Sequence, residues 1–225
     1  MIIAGLQKLT LIDYPGKLAS TVFLAGCNFS CPWCYSSELV LPKKIKEHPR
    51  FSKKEVFRFL KEKKGLLEGV VICGGEPTLQ KNLANFIKKI KKLDFSIKLD
   101  TNGSNPKILK KLIDKKLIDY VAMDIKYPKE RYKNLKAIEE SIEELKQGGV
   151  DYEFRTTVVP IVLEKKDILK IAKWIGGENV KYYLQNFRPE KTLNPEFEKI
   201  KPYPEKYLLG IKKAIAPFFE TCEVR

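Results

Sequence analysis

Histidine is nearly absent: 225 residues hold one, His48, in a lysine-rich stretch away from every cysteine. His48 reads as a surface residue rather than as the fourth ligand of a zinc site. Cysteine is scarce too. Five is an odd number and three of them fall within residues 27–34, which argues against a disulfide framework and for a metal in a reducing compartment. No stretch approaches the roughly 18 apolar residues of a membrane span. Met1–Gly16 lacks the basic start of a secretory leader and carries Asp13 and Pro15. Leu24-Ala25-Gly26-Cys27 has the form of a lipoprotein box, but the apolar run before it falls short of the roughly 7–15 residues of a leader core. A cytoplasmic location is expected. Linkers and low-complexity segments are missing, so residues 1–225 read as one domain. Acidic residues are in deficit, 28 against 43 basic, for a net charge of +15. The lysines are spread over every helical segment, as in Lys88-Lys89, Lys91-Lys92 and Lys110-Lys111, and form no stripe. They read as solvated helix faces, and nucleic acid is not expected as a partner.

What is present is alternation. Short apolar runs read as strands at Thr21–Leu24, Gly69–Cys73, Ser96–Asp100, Tyr120–Ile125, Tyr152–Val159 and Tyr182–Asn186. Helical spacing falls at Lys53–Lys63, with Ser52 as N-cap, and at Leu79–Leu93, Pro106–Leu117, Leu135–Gln147, Lys166–Ile175 and Pro204–Phe218. The stripe Leu83, Phe86, Ile87, Ile90 shows the three-and-four recurrence that buries one helix face. Six such units predict an α/β fold, a partial (β/α)6 barrel of parallel strands with outer helices. Met1–Asp13 reads as a short hairpin, and residues 1–20 as a hairpin-like extension packed on the barrel.

Parallel α/β folds carry their chemistry at the C-terminal ends of the strands. All six ends here are polar or glycine-rich. The first leads into Cys27-Asn-Phe-Ser-Cys31-Pro-Trp-Cys34. Three thiolates can ligate an iron–sulfur cubane and leave its fourth iron open for chemistry. The competing reading is a structural metal site that recruits Cys73 or Cys222; both also read as packing residues. Gly74-Gly75-Glu76-Pro77 offers close backbone approach and a carboxylate suited to an amino group, or else a plain strand-to-helix turn. Asp100 and Asp124 end neighbouring predicted strands, and Lys126 falls on the face of Asp124 if the strand continues. They form either a ligand site or an ion pair closing the barrel mouth. Trp33 either stacks on a flat ligand or shields the cluster.

Together these residues resemble the signature of radical S-adenosylmethionine (SAM) enzymes: C-x3-C-x2-C with an aromatic before the last cysteine, followed by Cys73-Gly74-Gly75-Glu76-Pro77. Asp100-Thr101-Asn102-Gly103 and Met123-Asp124-Ile125-Lys126 are similar to stretches of pyruvate formate-lyase-activating enzymes. Gly5-Leu6-Gln7-Lys8 and Asp13-Tyr14-Pro15-Gly16 are similar to stretches of anaerobic ribonucleotide reductase-activating proteins. The resemblance implies a [4Fe-4S] cluster on Cys27, Cys31 and Cys34. It implies SAM held by Gly74, Gly75 and Glu76, with Gly75 and Glu76 at the methionine amine, and by Asp124 and Lys126, with Trp33, Tyr35 and Asn102 close by. Asp100 with Met123 would help hold a monovalent cation. The activity implied is hydrogen abstraction from a glycine of a partner glycyl-radical enzyme, with a flavodoxin or ferredoxin-type reductant. The alternative is the same radical chemistry on a tRNA base or a small metabolite. Two positions depart from the pattern. Tyr35 stands where such activases often carry histidine, and Gln185-Asn186-Phe187 stands where another histidine is expected. No cysteine-rich insert is present, so one cluster is expected.

Overall fold

The computed structural model describes residues 1–225. Eight strands form one sheet in chain order: β1 Ile3–Thr10, β2 Ala19–Leu24, β3 Gly69–Gly74, β4 Ser96–Thr101, β5 Tyr120–Asp124, β6 Asp151–Val158, β7 Gly177–Asn186 and β8 Phe219–Val224. From β2 to β8 every neighbouring pair is parallel, and β1 runs antiparallel to β2. β1 and β8 do not pair with each other, so the barrel is open along one side.

The six expected strands are β2 to β7. Residues 1–20, read as a hairpin-like extension, contribute β1, which joins the sheet as its first edge. β8 was not expected, and it makes the opposite edge. The helices are α1 Ser37–Val40, α2 Pro42–Glu47, α3 Lys53–Glu62, α4 Leu83–Lys91, α5 Pro106–Asp114, α6 Leu135–Lys146, α7 Lys165–Ile175 and α8 Glu205–Ile215. α1 and α2 occupy a stretch for which no helix was expected. α4 starts four residues later than its pattern suggested, because Pro77–Leu79 makes a separate 3-10 turn. Ser52 caps α3 in a reciprocal box: its Oγ accepts from Glu55 N at 3.1 Å, and Glu55 Oε2 accepts from Ser52 N at 2.7 Å.

Strand alternation sorts the two faces. On β4, Ile97 and Leu99 enter the core shared with the helices, while Lys98 and Asp100 face the barrel interior. On β6, Phe154 and Val158 face the helices, and Glu153, Arg155 and Thr157 face the interior. The α4 stripe of Leu83, Phe86, Ile87 and Ile90 is buried in the same core, each side chain contributing roughly 1.5–3 kcal/mol. The sheet thus presents its apolar side outward to the helices; its inner side combines the charged residues of β4 and β6 with an apolar cluster of Tyr14, Ala19, Val71 and Tyr120. No helix is long and apolar enough to cross a membrane.

Candidate cofactor site at the strand ends

The cysteine run leaves the end of β2 as a loop that doubles back over β3. Gly26, at φ +102°, makes the bend, and its N donates to Leu39 O at 2.7 Å. Cys27, Cys31 and Cys34 are all free and line one cavity of about 260 Å³. Burial pushes the Cys27 thiol up to about 11 and raises Cys31 as well. These are protonated thiols until a metal displaces the proton. Phe29 N donates to Cys27 Sγ at 3.4 Å, a contact that favours the thiolate.

Three sulfurs on one cavity suit thiolate ligation of iron. A structural zinc fits poorly. It needs its ligands crowded about one point at roughly 2.3 Å, and no group of three or more His, Cys, Asp or Glu side chains converges in that way. A cubane spreads its thiolates over separate irons. Cys73 also lines the cavity, from the end of β3 rather than from the loop. Cys222 is buried on β8 in the main core, at the far edge of the sheet.

The glycine pair has a clear local cause. A Cβ on Gly74, whose φ is +129°, would sit 2.1 Å from Leu24 O, and one on Gly75 would sit 2.2 Å from Gly26 O. The cysteine loop presses onto this backbone, with Gly75 N donating to Leu24 O and Glu76 N to Gly26 O, both at 2.8 Å. Gly74→Ala should therefore cost at least about 3 kcal/mol, through strain at positive φ plus backbone overlap, read as a lower urea midpoint of the metal-free protein.

Glu76 does not line the cavity. It is fully buried, and its carboxylate accepts from Thr78 N at 3.1 Å, Thr78 Oγ1 at 2.6 Å, Thr101 Oγ1 at 2.8 Å and Asn102 N at 2.7 Å. Burial pushes its pKa up and these donors pull it back. This side chain, expected at a methionine amine, instead ties the turn after β3 to the end of β4.

Asp100, Asp124 and Lys126 meet as expected, together with a residue absent from the sequence-based set, Arg155. Arg155 Nε donates to Asp124 Oδ1 at 2.9 Å and Nη1 to Asp100 Oδ2 at 3.1 Å. Lys126 Nζ lies 3.2 Å from Asp124 Oδ2, and the buried Lys98 pairs with Asp100 Oδ1. Burial alone would raise the Asp124 carboxyl, but Arg155 and Lys126 outweigh it and hold it at about 2. Both oxygens of Asp100 are engaged by protein cations, and the Met123 side chain is wholly buried. Three cations face two carboxylates, and the spare positive charge suits an anionic ligand group.

The aromatic walls differ from one another. Trp33 is buried against Val159 and Phe187, with Tyr127 edge-on at 5.5 Å. Tyr35 is exposed, its ring stacked on Phe187 at 6.4 Å and its hydroxyl accepting from Arg188 N at 2.9 Å. Gln185 reaches the cavity wall, whereas Phe187 is buried beneath the two aromatics. Tyr35, Arg155, Thr157 and Gln185 also border a second cavity of about 770 Å³, which runs down the barrel interior past Lys98 and Glu153 to Asp13 and Pro15. A charged or polar residue at every second position of β6, Glu153, Arg155 and Thr157, was the available signal for this inner wall.

The family model described as Radical SAM superfamily matches residues 21–175. A Methanocaldococcus jannaschii protein, provisionally named a glycyl-radical enzyme activating enzyme, is 34% identical over all of this chain and 95% of its own. A second protein of that organism with the same provisional name is 28% identical over 91% of this chain and 80% of its own. Among solved structures, Streptococcus suis SuiB bound to S-adenosylmethionine superposes with a TM-score of 0.64 at 15% identity. That match covers 91% of this chain but only 51% of SuiB, and it speaks for the fold alone.

Proposed function

The chain belongs to the radical SAM superfamily, and on that premise we propose that it activates a glycyl-radical enzyme by removing hydrogen from one of that partner's glycines. When bound, the [4Fe-4S] cluster and SAM supply one-electron cleavage of a C–S bond and a 5′-deoxyadenosyl radical. The protein's task is to bind, orient and keep water out. Cys27, Cys31 and Cys34 hold the cluster from a loop pinned to β3. Backbone at Gly74 and Gly75 offers polar groups to the methionine amine. Lys126 and Arg155 present positive charge to the methionine carboxylate, with Asp124 fixing both cations. Trp33 and Tyr35 wall the cavity on the side of Phe187.

The observation that carries the activase reading is the 34% identity to a provisionally named activating enzyme across essentially both full lengths. The barrel interior supports it: a cavity of about 770 Å³ adjoins the cysteine cavity and gives a main-chain segment of a partner room to approach. Anaerobic ribonucleotide reductase is the partner we favour. The opening segment resembles activators of that enzyme, and its Asp13 and Pro15 border this interior, where Thr21 Oγ1 fixes Asp13 Oδ2 at 2.8 Å. A flavodoxin or ferredoxin-type protein would supply the electron in a reducing cytoplasm.

The test is anaerobic reconstitution followed by electron paramagnetic resonance (EPR) on a partner carrying deuterated glycine. The expected result is a glycyl radical on the partner and deuterium in the released 5′-deoxyadenosine. If SAM is cleaved but candidate partners gain neither radical nor isotope loss, the activase reading fails. Deuterium arriving instead from labelled tRNA or a small metabolite would establish the alternative substrate class.

A further inference from the structure

We propose that Asn102 is a positioning residue for the cysteine loop and sets the reduction potential of the cluster by donating its side-chain amide to Cys27 Sγ. The proposal rests on the reading of Cys27 as a cluster ligand. Asn102 was expected among the SAM contacts, and it lines the cavity while being almost completely buried. Its polar atoms are already committed. Oδ1 accepts from Ser104 N at 3.0 Å, which fixes the amide orientation and turns the NH2 toward the loop. Nδ2 then donates to Asn28 Oδ1 at 3.0 Å and lies 3.9 Å from Cys27 Sγ, within reach for a sulfur acceptor. Asn28 Nδ2 donates on to Ser104 Oγ at 2.8 Å and closes a ring between the loop and the end of β4. From below, the Asn102 backbone is anchored on Glu76 Oε2.

Asn102 is the one side chain that donates to a cysteine sulfur in this protein. An N–H aimed at a ligand sulfur stabilises negative charge there. The cluster gains one negative charge when it accepts an electron from the external flavodoxin-class reductant, so the donor favours the reduced form and raises the potential. Asn102 is neither oxidised nor reduced. It changes how readily the electron is accepted.

The experiment is an EPR-monitored potentiometric titration of the reconstituted full-length protein. Asn102→Leu keeps the volume and removes the donor; its midpoint should move to a more negative value while iron content is retained. Asn28→Ala loosens the ring but leaves the amide facing sulfur, and its midpoint should stay at the wild-type value. An unchanged midpoint in Asn102→Leu overturns the proposal, as does an equal shift in both variants, which would indicate loop loosening alone. Should Asn102→Leu not assemble a cluster, wild-type protein labelled with 15N at the asparagine side chain decides: a 15N coupling to the reduced cluster is expected, and its absence overturns the proposal. None of these readouts involves a partner enzyme, so a failed activase reading and a failed potential reading are separate results.

Discussion

Cys31→Ala is expected to abolish iron retention and SAM cleavage together. Cys31 is the middle ligand of the run, and the charges acting on it include Cys34, Lys126 and Asp124. Without it two loop thiolates remain for four irons, and the one other cysteine on the cavity is Cys73. Cys73 sits on β3 rather than on the loop, and Cys222 is in the main core. Loss of an outer-shell partner alone costs metal sites about 10–100-fold, so removal of a direct ligand should exceed about 100-fold in cleavage rate. Iron and sulfide content, absorbance near ~400 nm and released 5′-deoxyadenosine measure it. Cys73→Ala is the informative companion. It should retain iron and cleavage, and a loss matching Cys31→Ala would instead support a four-cysteine site.

Glu76→Ala should be the most damaging substitution among residues that do not face the cavity. Its carboxylate satisfies two backbone N–H groups and two hydroxyls, all deeply placed, on two different strand-end turns. Stranding a buried donor costs about 1–3 kcal/mol, and breaking a buried charged network costs about 3–5 kcal/mol. The expected loss is on the order of 4 kcal/mol, in urea unfolding of metal-free protein. Glu76→Gln should recover little, because one of its atoms becomes a donor facing a donor. A stable Glu76→Ala protein with weakened SAM binding would return this residue to the ligand-contact role implied by its motif.

These two residues mark where sequence reading succeeds and where it stops. The cysteine run is legible because its spacing is itself the chemistry. The six β/α units are legible because periods of 3.6 and 2 alternate along the chain. The glycine pair could be read either as a ligand cradle or as a turn, and close packing against Leu24 and Gly26 supplies a structural cause that spacing does not display. Glu76 falls among the expected ligand contacts because a motif names residues without saying which way a side chain points, and its carboxylate points into the core. Arg155 shares the polar alternation of β6 with Glu153 and Thr157, but its role comes from two aspartates on other strands. β8 escaped because Phe219–Val224 buries only Cys222 and so carries little of the apolar patterning that marks the inner strands.

The unpaired edges of β1 and β8 carry one more consequence. A closed barrel admits a polypeptide only from its ends, through a mouth whose diameter is tied to strand number and stagger. A sheet left open is a trough. A loop whose two ends remain anchored in a folded protein can be laid into a trough sideways and lifted out again, with no knot to undo and no unfolding of either molecule.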